Sequence, residues 1–547
     1  MKGKNPLKRI LSKIYLADLQ SVSSELTKKI KVQAEDLAAV KARVTKIEKK
    51  TVKKLAAELA ELKETMAKLE SEHASKLAAE LAPLNKTVAA LKASVAKLEA
   101  RGTVAKSGLS VAIMGVGGHG KKHIEAFMKL NDCHISHICD VDTKMGTAAA
   151  ASVFKEKGYK PKLAQDLRTV LKDPSVDCVA IAAPHHWHAL ATIWALRAGK
   201  HVYVEKPVTH TFSEGPSVLA AARKYGKVVQ SGTQLRSNTS LAAAGEFMRN
   251  GELGEIELVH CLIHKDRPAV PLSDKSSIPA SVDFDLWCGP AETSEVLRSK
   301  FHYHWHWLWE FGNGALGNNG IHRIDAVRIA LDLKGYGDLV LSCGGRFGPG
   351  DSGETPNNQL TLHKFGKIWV LQDVLGLLPK PYKGIENGII FYGTKGNIVY
   401  QAGYATLHDL EGNQIRRFEG KQLNHYQNFL DAVRANDITA ARGDLKEGII
   451  SSDLCHFGNI SYRVGSPASD QEIADQIKDL GAPAFVLERL EALRSNLTDN
   501  GIDEAITLGR VLHLSDEGEP IRNDPEASTL LNRTYREPFV VPSPDQV

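Results

Sequence analysis

A glycine-rich loop near residue 115 has the residue types and the spacing to hold a dinucleotide. Leu109–Met114 is a short apolar run typical of a buried strand, and the amphipathic segment 121–130 predicts a helix after the loop. Gly115 permits a tight turn, Gly117 lets the backbone approach a pyrophosphate, and Gly120 lets the helix pack close to the strand. The N-terminus of that helix favours the phosphate charge. We assign the whole loop to cofactor binding: Gly115, Gly117, Gly118, His119 and Gly120.

An acidic residue follows at the distance that a dinucleotide site requires. A second predicted strand, 135–141, contains Asp140 near its end, about twenty residues after the last glycine of the loop. Its carboxylate would accept hydrogen bonds from the adenosine ribose. No arginine follows immediately to hold a 2′-phosphate, and this favours NAD over NADP as the cofactor.

Strands and helices continue to alternate after this unit. Strands are predicted at 176–182, 201–204 and 227–231, and helices at 186–198 and 213–225. Such alternation predicts a doubly wound α/β fold with a parallel sheet, whose ligands bind at the carboxyl ends of the strands. Three motifs fall at those ends: Pro184-His-His-Trp-His188, Glu205-Lys206-Pro207 and Gly232-Thr-Gln-Leu-Arg236.

These features, together with Gly312-Asn-Gly-Ala-Leu-Gly-Asn-Asn-Gly-Ile-His322-Arg-Ile-Asp325, resemble the Gfo/Idh/MocA (glucose–fructose oxidoreductase/inositol dehydrogenase) family. The resemblance covers residues 109–465. It implies an N-terminal Rossmann domain and a second α/β domain with a large, mostly antiparallel sheet. It also implies an enzyme that oxidises or reduces a hydroxyl of a sugar, sugar derivative or cyclitol with a nicotinamide cofactor.

The resemblance also assigns roles to individual residues. Lys206 corresponds to a lysine that contacts nicotinamide and substrate, and its bond to Pro207 is expected to be cis. His322 corresponds to the catalytic histidine, and an unperturbed pKa near ~6.5 suits a general base. The family usually has Asp four residues earlier; here Asn318 can orient a hydroxyl but cannot take its proton, and we assign it to the catalytic group in that role. Further cofactor contacts are expected from Pro184, His188, Glu205 and Lys206.

Residues 302–309 alternate histidine with aromatic residues: His-Tyr-His-Trp-His-Trp-Leu-Trp. In an extended segment, His302, His304 and His306 would share one face. They could then bind a metal, but no acidic cluster accompanies them and we predict no metal site. We predict a sugar-binding wall instead, with packing of the indoles in the core as the alternative. The residues expected to contact substrate are Arg236, Tyr303, Trp305, His306 and Asn319.

The N-terminal region differs in composition from the rest of the chain. Residues 16–101 are rich in Ala, Lys, Leu and Glu, and their apolar residues step by alternating threes and fours. This pattern predicts a self-associating coiled coil, with a helical hairpin folded back at Pro83 as the alternative. Residues 1–15 could form an amphipathic helix that touches a membrane, but a solvated helix start is favoured.

Composition limits the remaining possibilities. The 547 residues are 43% hydrophobic and 24% charged, so the chain is globular and long enough for several domains. No apolar run approaches the length of a transmembrane helix. The seven cysteines are scattered without a Cys-x-x-Cys pair, which fits a reducing cytoplasm. The net charge of +5 comes from the basic arm and does not indicate nucleic-acid binding.

Four segments are expected along the chain. They are a coiled-coil arm with a linker (1–107), an NAD-binding Rossmann domain (108–232), a substrate domain (233–465) and a C-terminal extension (466–547). Helices at 424–435 and 446–462 are expected to close the substrate domain. We predict an NAD-dependent oxidoreductase that acts on a carbohydrate-like hydroxyl and forms a homo-oligomer through the substrate domain and the arm. A redox-neutral NAD-dependent glycosidase or lyase, and a non-catalytic NAD-binding scaffold, are the alternatives.

Overall fold

The computed structural model describes Glu61 and residues 108–272, 278–292 and 300–547. Apart from Glu61, the predicted coiled coil lies outside these described residues, as does the segment 1–15. Residues 108–433 and 437–547 form one compact unit. None of the helices that the structure describes is long and apolar enough to cross a membrane.

Six parallel strands form the first sheet, in the order β3-β2-β1-β4-β5-β6. The strands are β1 (Leu109–Met114), β2 (Cys133–Cys139), β3 (Lys162–Ala164), β4 (Cys178–Ile181), β5 (His201–Val204) and β6 (Val229–Ser231). The central strands β1, β4 and β5 are short apolar runs because helices cover both faces of a parallel sheet. The predicted doubly wound fold is confirmed; β3, which is short and half exposed, was not predicted.

Five helices belong to this sheet. They are α1 (His119–Met128), α2 (Thr143–Lys157), α3 (Leu167–Leu171), α4 (His185–Arg197) and α5 (Glu214–Tyr225). Helix α2 begins where the Asp142 side chain accepts hydrogen bonds from two backbone amides, and it ends at Gly158 with a φ of 73°. The strand order reverses between β1 and β4, so α1 and α4 pack on opposite faces. A crevice therefore opens at the carboxyl ends of these two strands.

Eleven strands form the second sheet, in the order β14-β13-β12-β11-β7-β10-β9-β8-β16-β15, with β17 also paired to β8. The strands are β7 (Ile256–His264), β8 (Leu339–Gly345), β9 (Asn358–Phe365), β10 (Ile368–Leu375), β11 (Asn387–Gly393), β12 (Gly396–Gln401), β13 (Tyr404–His408), β14 (Gln414–Phe418), β15 (Ser466–Ala468), β16 (Ile506–Leu508) and β17 (Leu512–His513). Neighbouring strands are antiparallel except for β7 and β10, which run parallel. The expected large, mostly antiparallel sheet is confirmed.

Helices cover both faces of the second sheet. The remaining helices are α6 (Thr239–Arg249), α7 (Phe284–Cys288), α8 (Phe301–His304), α9 (Ile321–Leu331), α10 (His425–Ala435), α11 (Leu445–Arg463), α12 (Asp470–Asp479), α13 (Phe485–Asp499) and α14 (Pro525–Thr529). Helices α6, α9 and α11 bury Leu241, Ile324 and Leu454 against one face. Helices α12 and α13 bury Ile477 and Leu493 against the other.

Two expectations about the C-terminal third need correction. The predicted helices α10 and α11 are present, but α10 does not close the substrate domain: Phe429 and Leu430 pack in the same core cluster as Val111 of β1. The segment 466–547 is not separate from the second domain, because β15, β16 and β17 extend its sheet. The end of the chain then returns to the Rossmann domain, where the Phe539 ring lies 5.6 Å from the ring of Trp187.

Arg236 has a structural position that differs from the one expected. Its guanidinium donates to both carboxylate oxygens of Asp325 on α9, at 2.7–3.0 Å, and both side chains are nearly buried. The Ser451 hydroxyl donates to the same carboxylate at 2.8 Å. Arg236 does not line the cleft described below. The guanidinium predicted to bind substrate therefore turns to Asp325, since a position after a strand does not determine which way the side chain turns.

Replacing Arg236 should destabilise the fold. In Arg236→Met the Asp325 carboxylate stays buried without its charge partner, so the free energy of unfolding should fall by about 3–5 kcal/mol. The double variant R236M/D325N should recover part of this loss because no unpaired charge remains. Urea unfolding followed by circular dichroism measures both values. A loss below about 1 kcal/mol, as for an exposed ion pair, would show that the pair does not stabilise the fold.

Candidate cofactor and substrate cleft

One cleft of about 400 Å³ lies at the carboxyl ends of the parallel strands and receives side chains from both domains. The Rossmann domain supplies the glycine loop, Asp140, the start of α4 and the end of β5. The second domain supplies the segment after β7, the helical segment at 301–307 and the start of α9. Most of the residues predicted to form the site meet here: Gly115, Gly117, Gly118, His119, Asp140, Pro184, His188, Glu205, Lys206, Tyr303, Trp305, His306, Asn318, Asn319 and His322.

The glycines of the loop divide into two groups by the space around them. Gly115 has a φ of +80°, and a Cβ there would lie 2.8 Å from the backbone of Ala182. A Cβ on Gly120 would lie 1.8 Å from the carbonyl oxygen of Gly115, so these two positions exclude side chains. Gly118 has open space around it, and Gly117 has only a methionine side chain at 3.6 Å. The open space at the N-terminus of α1 fits a pyrophosphate.

Asp140 lies directly after β2 and holds the glycine loop. One carboxylate oxygen accepts the amide hydrogen of Val116 at 2.7 Å, and the other accepts that of Asp142 at 2.9 Å. Burial raises the pKa of Asp140, although these two amides oppose the shift. Each carboxylate oxygen retains a lone pair for a ribose hydroxyl. Asp140 and the glycine loop therefore fit a dinucleotide with an unphosphorylated ribose.

Glu205 connects the glycine loop to the strand that carries Lys206. Its Oε1 accepts hydrogen bonds from His123 at 3.1 Å and Gln234 at 3.0 Å, and the His119 ring lies 3.3 Å away. Burial alone would raise the pKa of Glu205, but these two histidines hold it well below its usual range. Three donor atoms of metal-ligand type thus lie within 4.8 Å of one another. Hydrogen bonding to Glu205 is sufficient to explain why these three side chains lie close together. His123 was not among the predicted site residues.

Lys206 and His322 face the same cleft from different domains. Lys206 Nζ donates to the carbonyl oxygen of Asn318 at 2.7 Å and lies 3.4 Å from its side-chain oxygen. Asn318 belongs to a π-helical turn, Leu316–Gly320, directly before α9, and such turns are frequent at functional sites. Burial lowers the pKa of Lys206, and burial together with the nearby ammonium lowers the pKa of His322 well below 6.5. The Lys206–Pro207 bond is cis, as expected.

Pro184 and His188, which were both predicted to contact the cofactor, differ in their surroundings. Pro184 directly precedes α4 and lines the cleft. The His188 ring nitrogens lie 2.5 Å from the carbonyl oxygen of Pro207 and 2.8 Å from that of Ala183. His188 therefore connects the ends of two strands. His185, which was not predicted, also lines the cleft, and its Nδ1 lies 3.0 Å from Asn313 Oδ1.

The histidine–aromatic segment is helical, not extended. It forms α8 and a 3₁₀ turn, Trp305–Trp307, so its three histidines do not share a face. His302 bonds to Asp142 at 2.9 Å, while His306 bonds to the Tyr303 carbonyl at 2.6 Å. Trp305 stacks on His306 with ring centroids 3.6 Å apart, and both line the cleft.

Arg267, three residues after β7, also lines the cleft and was not predicted. It lies over the Trp307 ring, with 4.8 Å between the guanidinium carbon and the ring centroid. Its Nη2 donates to Asn319 Oδ1 at 2.7 Å. Trp307 is thus core packing, whereas Trp305 belongs to the wall of the cleft. No local pattern around Arg267 indicates this position in the sequence.

The parallel sheet, the open glycine cradle and Asp140 define an NAD-binding site of the Rossmann class. Residues 109–233 match an oxidoreductase family model described as an NAD-binding Rossmann fold. Residues 271–338 match the C-terminal alpha/beta domain of the same family. The two matched regions therefore belong to the Gfo/Idh/MocA oxidoreductase family.

Individual relatives are similar over part of the chain. The uncharacterized oxidoreductase YrbE of Bacillus subtilis (strain 168) is 29% identical over 147 residues, 27% of this chain and 42% of YrbE. An alpha-N-acetylgalactosaminidase of Shewanella oneidensis is 29% identical over 150 residues, 27% of this chain and 33% of that protein. These matches span less than half of either relative.

A solved structure extends the likeness to both domains. The WlbA dehydrogenase from Chromobacterium violaceum, in complex with NADH and UDP-GlcNAcA, aligns with a TM-score of 0.50 and 19% identity. The alignment covers 66% of this chain and 95% of that structure. At this identity the likeness shows the fold, a Rossmann domain followed by a domain with a large sheet.

Removing the Asp140 carboxylate should weaken NADH binding by roughly ten- to hundredfold, since hydrogen bonds to a charged group contribute ~1.5–3 kcal/mol. Asp140→Ala should also narrow the preference for NADH over NADPH, because a carboxylate at this position repels a 2′-phosphate. Fluorescence titration with both cofactors measures the two effects. Asp177→Ala is the matched control, because that carboxylate also accepts a backbone amide, from Ser110 at 2.9 Å, but lies outside the cleft. Unchanged NADH affinity in Asp140→Ala would contradict the ribose assignment.

Proposed function

We propose that the protein is an NAD-dependent oxidoreductase that acts on a hydroxyl-bearing carbon of a sugar, sugar derivative or cyclitol. The observation that carries this proposal is the position of Lys206 and His322, which enter the cleft of the glycine loop from different domains. An oxidoreductase of this kind needs a cofactor cradle, a group that polarises the substrate oxygen and a group that accepts its proton. The cleft contains a candidate for each.

The side chains divide this work between them. The glycine loop and Asp140 would hold NAD, which would supply the hydride acceptor for the carbinol carbon. Neutral His322 accepts the hydroxyl proton, and the Lys206 ammonium donates a hydrogen bond to the same oxygen as it becomes a carbonyl. Asn318 contributes through its backbone carbonyl, which holds the ammonium at 2.7 Å. Its side-chain amide can orient the hydroxyl without competing for the proton.

The other predicted substrate residues fit a polyhydroxylated ligand. Tyr303 is 44% exposed and lines the cleft, and its ring centroid lies 5.1 Å from that of His306. Trp305 and His306 present stacked rings, which suit the C–H faces of a sugar ring, while polar ring atoms suit its hydroxyls. In this proposal the segment 301–307 and Asn319 bind the part of the substrate that does not react.

A redox-neutral reaction is the second candidate, and a specific observation favours it. Several relatives that match about 150 residues of the chain are named as an alpha-N-acetylgalactosaminidase or as glycosyl hydrolase family 109 proteins. In such a reaction a transient oxidation of the sugar would allow its glycosidic bond to break by elimination of the leaving group. The hydride would then return to the sugar. The same Lys206 and His322 would serve both reactions.

The proposal also includes the cellular location, the oligomeric state and the segment boundaries expected from the sequence. We propose a cytoplasmic homo-oligomer assembled through the second domain and the N-terminal arm, with a carbohydrate-like small molecule as its substrate. The division into segments at residues 107 and 232 is proposed in the same sense.

Added NAD should be reduced in proportion to the substrate consumed. The experiment incubates the full chain with NAD and a panel of free sugars, cyclitols and nitrophenyl glycosides, while NADH absorbance and product release are followed together. Equal amounts of NADH and oxidised product support the oxidoreductase. Release of nitrophenol without NADH accumulation would contradict net oxidation and favour the redox-neutral reaction.

The pH dependence of kcat/KM should follow the two proposed groups. Because the pKa of His322 is lowered, its neutral form persists below pH 6.5, and the acid limb should lie well below that value. Because the pKa of Lys206 is lowered from 10.5, its ammonium is lost on the alkaline side below that value. His322→Gln should remove the acid limb and Lys206→Met the alkaline limb, each with a loss of about 10²–10⁴ in kcat.

The control for these variants is His513→Gln, a change of the same type at an exposed position of β17. NADH affinity, measured in parallel, should stay within about fivefold of wild type for His322→Gln, since a hydrogen bond contributes ~1 kcal/mol. Retention of both limbs in the two variants would remove Lys206 and His322 from the reaction.

A further inference from the structure

Arg267 is a buried cation in the wall of the cleft. It lies three residues after β7, its exposed fraction is 5%, and its side chain borders the same space as Lys206 and His322. Its plane is held by the Trp307 ring beneath it. The role proposed for the cleft does not yet use this residue.

The partners of Arg267 are neutral. Nη2 donates to Asn319 Oδ1 at 2.7 Å, and Nη1 donates to the Tyr303 hydroxyl at 3.3 Å. Among the residues that the structure describes, no carboxylate oxygen lies within 4.0 Å of its guanidinium. The same domain pairs other buried arginines with acids: Arg346 bonds to Asp351 at 2.7 Å and Arg489 to Asp373 at 2.9 Å. Arg267 therefore makes no ion pair, although the Asp266 carboxylate still acts on it at longer range.

Such a guanidinium has both the capacity and the reason to bind an anion. It carries five N–H donors, of which Asn319 and Tyr303 accept two, so three remain for a ligand. A buried charge without an opposite charge is costly, and burial lowers the pKa of Arg267 accordingly. Lys265 and Lys122 also line the cleft and add to the positive potential on the side of Arg267, while the carboxylates of the cleft, Asp140 and Glu205, belong to the Rossmann domain.

We infer that the substrate carries a carboxylate, which Arg267 binds while Lys206 and His322 act on a hydroxyl of the same molecule. This inference rests on the proposed function and names the substrate class as a sugar acid. Lys206 is anchored on Asn318 and Arg267 on Asn319, which are consecutive residues of one turn. The carboxylate therefore lies a few carbon atoms from the reacting carbinol. A carboxylate matches the planar fork of the guanidinium in two parallel hydrogen bonds.

The test compares matched ligands that differ in one group. The probes are glucose, galactose and mannose, their 6-carboxylates (the uronic acids) and their 6-phosphates, each with NAD-loaded full-length protein. Binding is measured by calorimetry and reaction by NADH absorbance. At least one uronic acid should bind about tenfold or more tightly than the sugar of the same configuration, as expected for a hydrogen bond to a charged group. Equal affinity for all neutral sugars and uronic acids, or no binding of any uronic acid, overturns the inference.

The phosphates separate the two sources of negative charge. Tighter binding of a 6-phosphate than of the matched uronic acid would contradict the inference that the substrate carries a carboxylate. It would indicate a phosphorylated sugar as the substrate instead. The cofactor is a further source of phosphate, so the NADH affinity of every variant is measured as well. If Arg267→Gln weakens NADH binding as much as it weakens binding of the acid, Arg267 serves the cofactor and the inference fails.

Variants of Arg267 connect the selectivity to this side chain. Arg267→Gln should abolish the preference for the acid over the neutral sugar, while NADH affinity shows that the protein is folded. Arg267→Lys keeps the charge but not the fork, and should keep only part of the preference. Lys380→Gln is the control: it removes a cation that is 84% exposed, outside the cleft, and should leave the preference unchanged. Undiminished selectivity in Arg267→Gln would overturn the inference.

The same data distinguish this inference from the function on which it rests. Selective, Arg267-dependent binding of a uronic acid without NAD reduction would support the anion site and contradict the oxidoreductase. NAD reduction by neutral sugars that is insensitive to Arg267→Gln would support the oxidoreductase and contradict the anion site.

Discussion

The hydrogen bond between Lys206 Nζ and the carbonyl oxygen of Asn318 connects the two halves of the site. The two residues are 112 positions apart, one at the end of a parallel strand and the other in the turn before α9. A lysine in this cleft has lost most of its water, and the carbonyl replaces part of that solvation. The position of the ammonium relative to both the glycine cradle and the second domain therefore depends on this one contact. Glu205, the neighbour of Lys206, fixes the same strand end to α1 through His123.

The parts of the site that could be predicted are those that local backbone geometry imposes on the sequence. Gly120 is recognisable because any Cβ there would collide with the preceding loop, and Asp140 because it ends the next strand. Arg236 and Arg267 show the limit of this reasoning. Both follow a strand, but Arg236 turns to a buried aspartate and Arg267 turns into the cleft. The direction of each side chain depends on α9 and the turn before it: Asp325 of α9 binds Arg236, and Asn319 of the turn binds Arg267. No spacing in the sequence predicts these contacts.

The histidine–aromatic segment shows how the two-residue period of a strand can be predicted for a segment that forms helical turns. Alternation over eight residues predicts a strand face, whereas the segment folds as short helical turns with about three residues per turn. Tyr303 and His306, three residues apart, then face the cleft together, and Trp305 stacks on His306. Trp307 instead packs in the core of the second domain beneath Arg267. The two interpretations of the indoles therefore each hold for one tryptophan: Trp305 lines the cleft, and Trp307 packs in the core. The helical turn directs the two side chains to opposite sides.

The electrostatics of the cleft follow from the difference between its buried histidines, which are uncharged, and its buried cations Lys206 and Arg267, which are charged. Burial lowers the pKa values of His185, His306 and His322, so at neutral pH these rings are uncharged and act as hydrogen-bonding groups. The charge of Lys206 and Arg267 is anchored by the consecutive residues Asn318 and Asn319, through a backbone carbonyl and a side-chain oxygen. An acidic side chain at either position would neutralise its cation, and in a medium of low dielectric this would remove most of the attraction for an anionic ligand. Neutral oxygens fix both cations in place without cancelling them. In the proposed complex, the direct ion-pair partner that Arg267 lacks comes from the molecule that enters the cleft.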